Sequence, residues 1–220
     1  MPRSKVEEAV CTMPAAAKVI SLDPSSLREV LEDIRRLGEA TGRAEKAAEV
    51  AVSLERRVQQ VRERASLARY RPRVFCAEWL DPIFCAGHWL PEMVALAGGE
   101  EALGSPFADS IRIDWERVRG YDPEVVILMP CGFDALAAIA EARWMTERPG
   151  WKNLTAVRAG RVYIVDANSY FARPGPRLVD GLEILAHLIQ PELSPAPQSA
   201  GFAYKLADGS LDHFAPLPPI

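Results

Sequence analysis

The sequence predicts an α/β fold, built on a mostly parallel sheet with helices on both faces. From Arg73 onward, β-prone runs alternate with helix-periodic segments, the pattern of strands joined by crossover helices. One run, Val125 to Met129, is apolar at every position, as expected of a strand buried on both faces. Three of these runs open into loops of unusual composition, and such sheets bind ligands at the carboxyl ends of their strands.

Taken in order, Lys18 to Leu22 reads as a short strand, and Asp23-Pro24 as the N-cap and first position of a helix. That helix places Leu27, Val30, Leu31, Ile34 and Leu37 on one face and ends at Gly38 and Thr41-Gly42. A second helix, Ala44 to Ser66, is apolar along Ala47, Ala51, Leu54, Val58 and Val61 and charged on its other side. At 1.5 Å per residue it is roughly 35 Å long, so it reads as an amphipathic surface helix or as a strut between two lobes.

The stretch Arg73 to Gly99 gives a strand at Val74 to Ala77, a polar-aromatic loop, and a helix from Trp89 to Ala97 that stops at Gly98-Gly99. Ile111 to Ile113 is strand-like, and Asp114 is placed to cap a short helix. After Val125 to Met129 come Pro130 to Phe133, a helix over Ala135 to Arg143, and a loop to Trp151. Arg161 to Asp166 is the next strand, and Arg177 to Gln190 the last helix. The proline-, serine- and glycine-rich tail from Pro191 is expected to be loosely ordered.

Composition removes several function classes. In 220 residues the net charge is −4, with 49% hydrophobic and 25% charged residues, which argues against a general nucleic-acid binder. No apolar run approaches a membrane span, and Glu7-Glu8 stand where a secretory signal would be apolar. Neither a GxGxxG nor a Walker-type loop nor a GxSxG elbow occurs. His88, His187 and His213 are too far apart to propose zinc from spacing, and His187 reads as a packed or surface residue. Cys11, Cys76, Cys85 and Cys131 read as free thiols, with a Cys76–Cys85 bridge as the alternative.

Three strand exits, Glu78 to Trp89, Pro130 to Phe133 and Asn168 to Arg173, should share one edge of the sheet. There they would assemble a pocket of Trp79, Phe84, Trp89, Phe133, Tyr170 and Phe171, with Asp81, His88 and Arg173 as polar handles. That mixture suits a large, flat, partly apolar ligand with polar substituents. Asp81 and His88 could also form an acid/base pair, so an enzyme using them with Cys131 stays open.

The segments KVISLDPSSLREVLEDIRRLGEATGR, RVFCAEWLDPIFCAGHWLPEMVALAGGEE, DPEVVILMPCGFD and RVYIVDANSYFARPGPRLVDGLEILA, in this order, resemble the cobalamin-binding substrate-binding proteins of ABC importers. The resemblance runs from about Val19 to Leu193. It implies two α/β lobes joined by one long helix, a non-catalytic role, and a corrinoid ligand held between the lobe tips. Residues 1–42 would then be a remnant of an N-terminal lobe most of which is missing here. Residues 43–72 would be the backbone helix, 73–193 a Rossmann-like C-terminal lobe, and 194–220 the tail.

By motif position, Glu78 and Trp79 would meet the ligand on one loop, and Ser169, Tyr170 and Arg173 on another. Glu116 would dock on the permease of a membrane permease–ATPase complex. Residence outside the cytoplasm is implied by the same resemblance, while a chain complete as given would be cytoplasmic. A haem or ferric-siderophore ligand, with His88 on the iron, is the alternative within this architecture.

Overall fold

The structure, a computed structural model, describes residues 3–12, 17–196, 203–206 and 214–217. A short helix α1 (Arg3–Cys11) comes first, an element the sequence did not announce. Residues 17–25, where a strand was expected, lie in no helix or strand, and the described sheet offers them no ladder partner. Helix α2 (Leu27–Ala40) begins three residues after Pro24. Ser26, not Asp23, is its N-cap, because Ser26 and Glu29 satisfy each other's backbone reciprocally. Helix α3 (Ala44–Ala65) then runs 22 residues, as its periodicity predicts, and packs against α2.

Strand β1 (Val74–Leu80) is longer than expected and turns through Asp81-Pro82, joined by a cis bond, into β2 (Ile83–Cys85). The polar-aromatic loop is therefore partly a hairpin, in which Trp79 pairs with Phe84. Helix α4 (Leu90–Leu96) follows, and Gly98-Gly99 end it. Gly98 adopts φ 85°, and a Cβ on Gly99 would lie 2.7 Å from the Val74 side chain.

Next come β3 (Ile111–Arg112), α5 (Trp115–Tyr121) with Asp114 at its N-cap, and β4 (Val125–Leu128). The helix expected from Ala135 to Arg143 divides into α6 (Ala135–Glu141) and α7 (Arg143–Thr146). A single turn α8 (Thr155–Arg158), β5 (Val162–Val165), the turn α9 (Ala167–Tyr170) and α10 (Arg177–Ile189) complete the lobe.

Strands β6 (Ala203–Leu206) and β7 (Phe214–Pro216) come from the tail. This corrects the expectation of a loosely ordered tail for those residues. Ala203 and Leu206 are fully buried, one on each face of the sheet, and that burial holds the segment in place.

Among the described residues, seven strands lie in the order β3-β2-β1-β4-β5-β6-β7. The β1–β4 and β4–β5 pairs are parallel, and the other four are antiparallel. Five strands consequently point one way, with β2 and β6 reversed, giving a mixed sheet around a parallel centre. Alternation along the central strands divides the core in two. Val74, Cys76, Val125, Ile127 and Val165 join α4 and α10 on one face. Phe75, Ala77, Val126, Leu128 and Ile164 join α5 to α8 on the other. Cys76 and Cys85 are thereby sent to opposite faces, so the alternative of a bridge between them is not met, and both are free.

Candidate functional site

Strands β1, β4 and β5 are neighbours and parallel, so their carboxyl ends open on one edge. The loops there are laced together by backbone bonds. The Cys131 amide donates to the Glu78 carbonyl at 2.9 Å, and the Asn168 amide to the Phe133 carbonyl at 3.1 Å. The three exits expected to share an edge do share it.

On the β1 side, Trp79 is 40% exposed and lies edge-on to Phe133, with ring centroids 6.0 Å apart. This pair walls a niche of about 40 Å³ that Leu80, Asp81, Pro130 and Glu141 complete. Phe84 is half-buried beside Trp79 in the hairpin. Glu78 is half-buried and accepts a short hydrogen bond from the Ser110 hydroxyl. At the centre, Cys131 is exposed; partial burial and the Glu78 charge push its thiol pKa up, and Arg173 pulls against them. Glu78, Cys131 and Arg173 therefore share one electrostatic neighbourhood. Ser169 donates its amide at 2.8 Å to Asp166, the cap of α9.

Other predicted site residues turn inward. Phe171 is 2% exposed, and Trp89 and Tyr170 are 8% exposed; all three belong to the α4/α10 core. The Trp89 indole N–H donates to the Phe171 carbonyl at 3.0 Å, tying α4 to the exit of β5. These aromatics support the edge from behind and offer no open ring face. His88 is half-buried at φ 53°, with Nδ1 3.9 Å from Asp109. Its backbone exchanges hydrogen bonds with Phe107 and Ala108.

Asp81 instead pairs with Arg148 at 3.1 Å, so the geometry does not form the acid/base pair with His88 that the sequence left open. His187 is held by the Ser194 carbonyl at 2.9 Å, in line with a packed residue, and His213 lies outside the described residues. Among the described residues, no group of three or more His, Cys, Asp or Glu is arranged to hold a metal ion. Glu116 is exposed in the first turn of α5, bound by its own Arg119 at 2.9 Å. Strand β3 runs the same way as β1, so α5 also starts toward the ligand edge.

Sequence reasoning missed Ser110, Asp109, Glu101 and Arg148. Ser110, Asp109 and Arg148 act through partners distant along the chain, and Glu101 joins the nearby Leu103 and Gly104 amides to the distant Cys76 amide.

The profile of the periplasmic binding protein family matches residues 7–169. The chain belongs to that family. Its members bind a solute and do no chemistry on it, so the reading of the chain as non-catalytic agrees with its membership. An uncharacterized ABC transporter substrate-binding lipoprotein of Bacillus subtilis, YvrC, is 30% identical over 177 residues. The match takes in 77% of this chain and 52% of YvrC, so the chain spans about half the length of that relative.

Among solved structures, Staphylococcus aureus IsdE complexed with heme is similar at a TM-score of 0.69 and 19% identity. The superposition covers 79% of this chain and 69% of IsdE. The vitamin B12-binding protein BtuF of Vibrio cholerae is similar at a TM-score of 0.66 and 21% identity, covering 87% and 70%. At such identities the likeness shows the α/β fold. No helix among the described residues of this family member is long and apolar enough to cross a membrane.

Proposed function

We propose that this chain carries the ligand-binding C-terminal lobe of an ABC-importer substrate-binding protein, and that its solute is a corrinoid. The observation that carries the reading is the open edge itself. A wall of exposed Trp79 and half-buried Phe133 shares its edge with Glu78, Cys131 and Arg173, over a niche of only about 40 Å³. Such a surface can lie against one face of a broad flat ligand but cannot enclose it. One jaw of a two-lobe clamp has this form. Helix α3, 22 residues and roughly 33 Å long, suits the strut that would join the lobes. Glu116, exposed on α5, is the acid that would meet the permease.

Burial of one ring face against Trp79 contributes on the order of 1–2 kcal/mol. A single jaw therefore binds weakly, and the 220-residue chain should take up cyanocobalamin with a Kd in the micromolar range or above. Calorimetry or a visible-spectrum titration measures this. Trp79→Ala should weaken binding about tenfold. Absence of saturable binding, or nanomolar binding by this chain, would contradict the proposal.

The second reading, haem or a ferric siderophore, is favoured by His88, half-buried with its imidazole Nδ1 3.9 Å from the Asp109 carboxylate. A Soret shift on adding hemin, lost in His88→Ala, would decide for it.

A further inference from the structure

We propose that Arg148 is a positioning residue for the Trp79 indole, holding it in the orientation in which it faces the ligand. The inference rests on the reading of Trp79 as a ligand contact. Arg148 lies in the loop after α7, 67 residues from Asp81 along the chain. Its guanidinium donates to the Leu80 carbonyl at 3.3 Å and to Asp81 Oδ1 at 3.1 Å, gripping the β1–β2 turn at consecutive residues. The Trp79 indole N–H donates to the backbone carbonyl of that same Asp81 at 3.0 Å. The chain of contacts runs from Arg148 to Asp81 to Trp79, and then edge-on to Phe133.

The far side of Arg148 is equally fixed. Its guanidinium carbon lies 6.0 Å from the Trp115 ring centroid, and Trp115 stacks on Trp151 at 6.3 Å. The Trp115 indole donates to the carbonyl of Pro149, the residue after Arg148. Guanidinium is thus clamped between a rigid aromatic pair and the turn that carries Trp79. Its Nε is buried and has no hydrogen-bond partner among the described residues. An arginine kept only for stability would be better placed with that donor in water. The cost is understandable when the guanidinium plane, set against the Trp115 ring, aims its Nη2 at both the Leu80 carbonyl and Asp81, since lysine's ammonium has no such plane to fix its direction.

The test uses the full chain, its Arg148→Ala and Arg148→Lys variants, and a Trp79→Phe variant to assign the indole signal. The ligand-independent readouts are the Trp79 indole N–H resonance and quenching of its fluorescence by acrylamide. Arg148→Ala should shift and broaden the resonance and raise quenching roughly twofold. Arg148→Lys, which keeps the charge and the fold, should do the same in part. Cyanocobalamin affinity should fall about tenfold in step with the indole change, as expected when a preorganised contact must be ordered on binding.

A lowered Tm with an unmoved Trp79 resonance in both variants would assign Arg148 a merely structural role and overturn the proposal. An indole that moves while affinity for a binding wild type holds would overturn it as well. If the wild type binds no cyanocobalamin, the corrinoid reading fails separately, and the indole signal still decides whether Arg148 positions Trp79.

Discussion

Glu101 is the residue whose chemistry departs furthest from its sequence context. Its side chain accepts from the amides of Leu103 at 2.7 Å, Gly104 at 3.2 Å and Cys76 at 3.2 Å, pinning the start of the loop that ends at Ser110 and Glu78. Burial raises its pKa from the ordinary 4.5 to about 7, against the pull of those three donors and of Arg117. Because the folded value is the higher one, the folded chain holds the proton that the unfolded chain has released between those values. Stability from this group is fully present below about 4.5 and is lost as pH rises through about 7. The loss is on the order of 3 kcal/mol. Denaturant midpoints of wild type and Glu101→Gln, whose amide mimics the protonated carboxyl, followed from pH 4.5 to 8, should separate as pH rises, wild type falling relative to the variant. Parallel curves would show that Glu101 does not titrate in this window. The loop anchored by Glu101 also carries the backbone partners of His88, so the same titration should loosen the rim of the ligand edge.

At the scale of elements, α3 is bound to α10 by one arginine. Arg57 donates from Nε to Glu183 at 2.9 Å, and from its terminal nitrogen to Asp180 at 2.5 Å and Glu183 at 2.7 Å. Two acids one turn apart on α10 would repel each other without it. All three side chains are about a third exposed, so solvent screens the network, and Arg57→Ala should cost about 1–2 kcal/mol. The measurement is the denaturant midpoint, with Arg57→Lys recovering only part because it cannot fork. An unchanged midpoint would mean that apolar packing alone joins α3 to the lobe.

Helix α3 was legible to within one residue, because Ala47, Ala51, Leu54, Val58 and Val61 keep the helical period without interruption. The start of α2 was not, since Asp23-Pro24 and Ser26–Glu29 are both sound helix openings. Only the reciprocal bonds of the capping box favour the second. The edge position of Trp79 and Phe133 was readable because Trp79 lies at the end of β1 and Phe133 in the short exit loop after β4. The burial of Tyr170 and Phe171 was not, because it depends on Asp166 capping a single turn, α9, at the exit of β5. Arg148 was invisible for a different reason, its partner Asp81 being fixed by tertiary packing alone.

At the scale of the molecule, the sheet's central strands are shielded on both edges by short hairpin partners. On one side β2 and β3 cover β1, and on the other β6 and β7 cover β5. All four residues of β5 are buried, and its outer backbone is satisfied through Tyr163–Lys205, Ile164–Tyr204 and Val165–Ala203. Without β6, an apolar strand would present an open row of amides and carbonyls, a template for pairing with another chain. Pro, Gly and Ser around Ala203–Leu206 conceal this role in the sequence. A chain ending at Ala196 should therefore fold less stably and self-associate, seen as a lower Tm and a shift to larger species in size-exclusion chromatography. Leu206→Ala separates packing from edge protection. It keeps the β5–β6 ladder but empties a fully buried site in the core shared with Val162, Ile164 and α6 to α8, costing about 2–3 kcal/mol. If edge protection is the tail's main contribution, the Leu206→Ala chain stays monomeric while the truncated chain associates. Association by both would assign the effect to lost core packing, and by neither would remove the tail from the stability of the lobe.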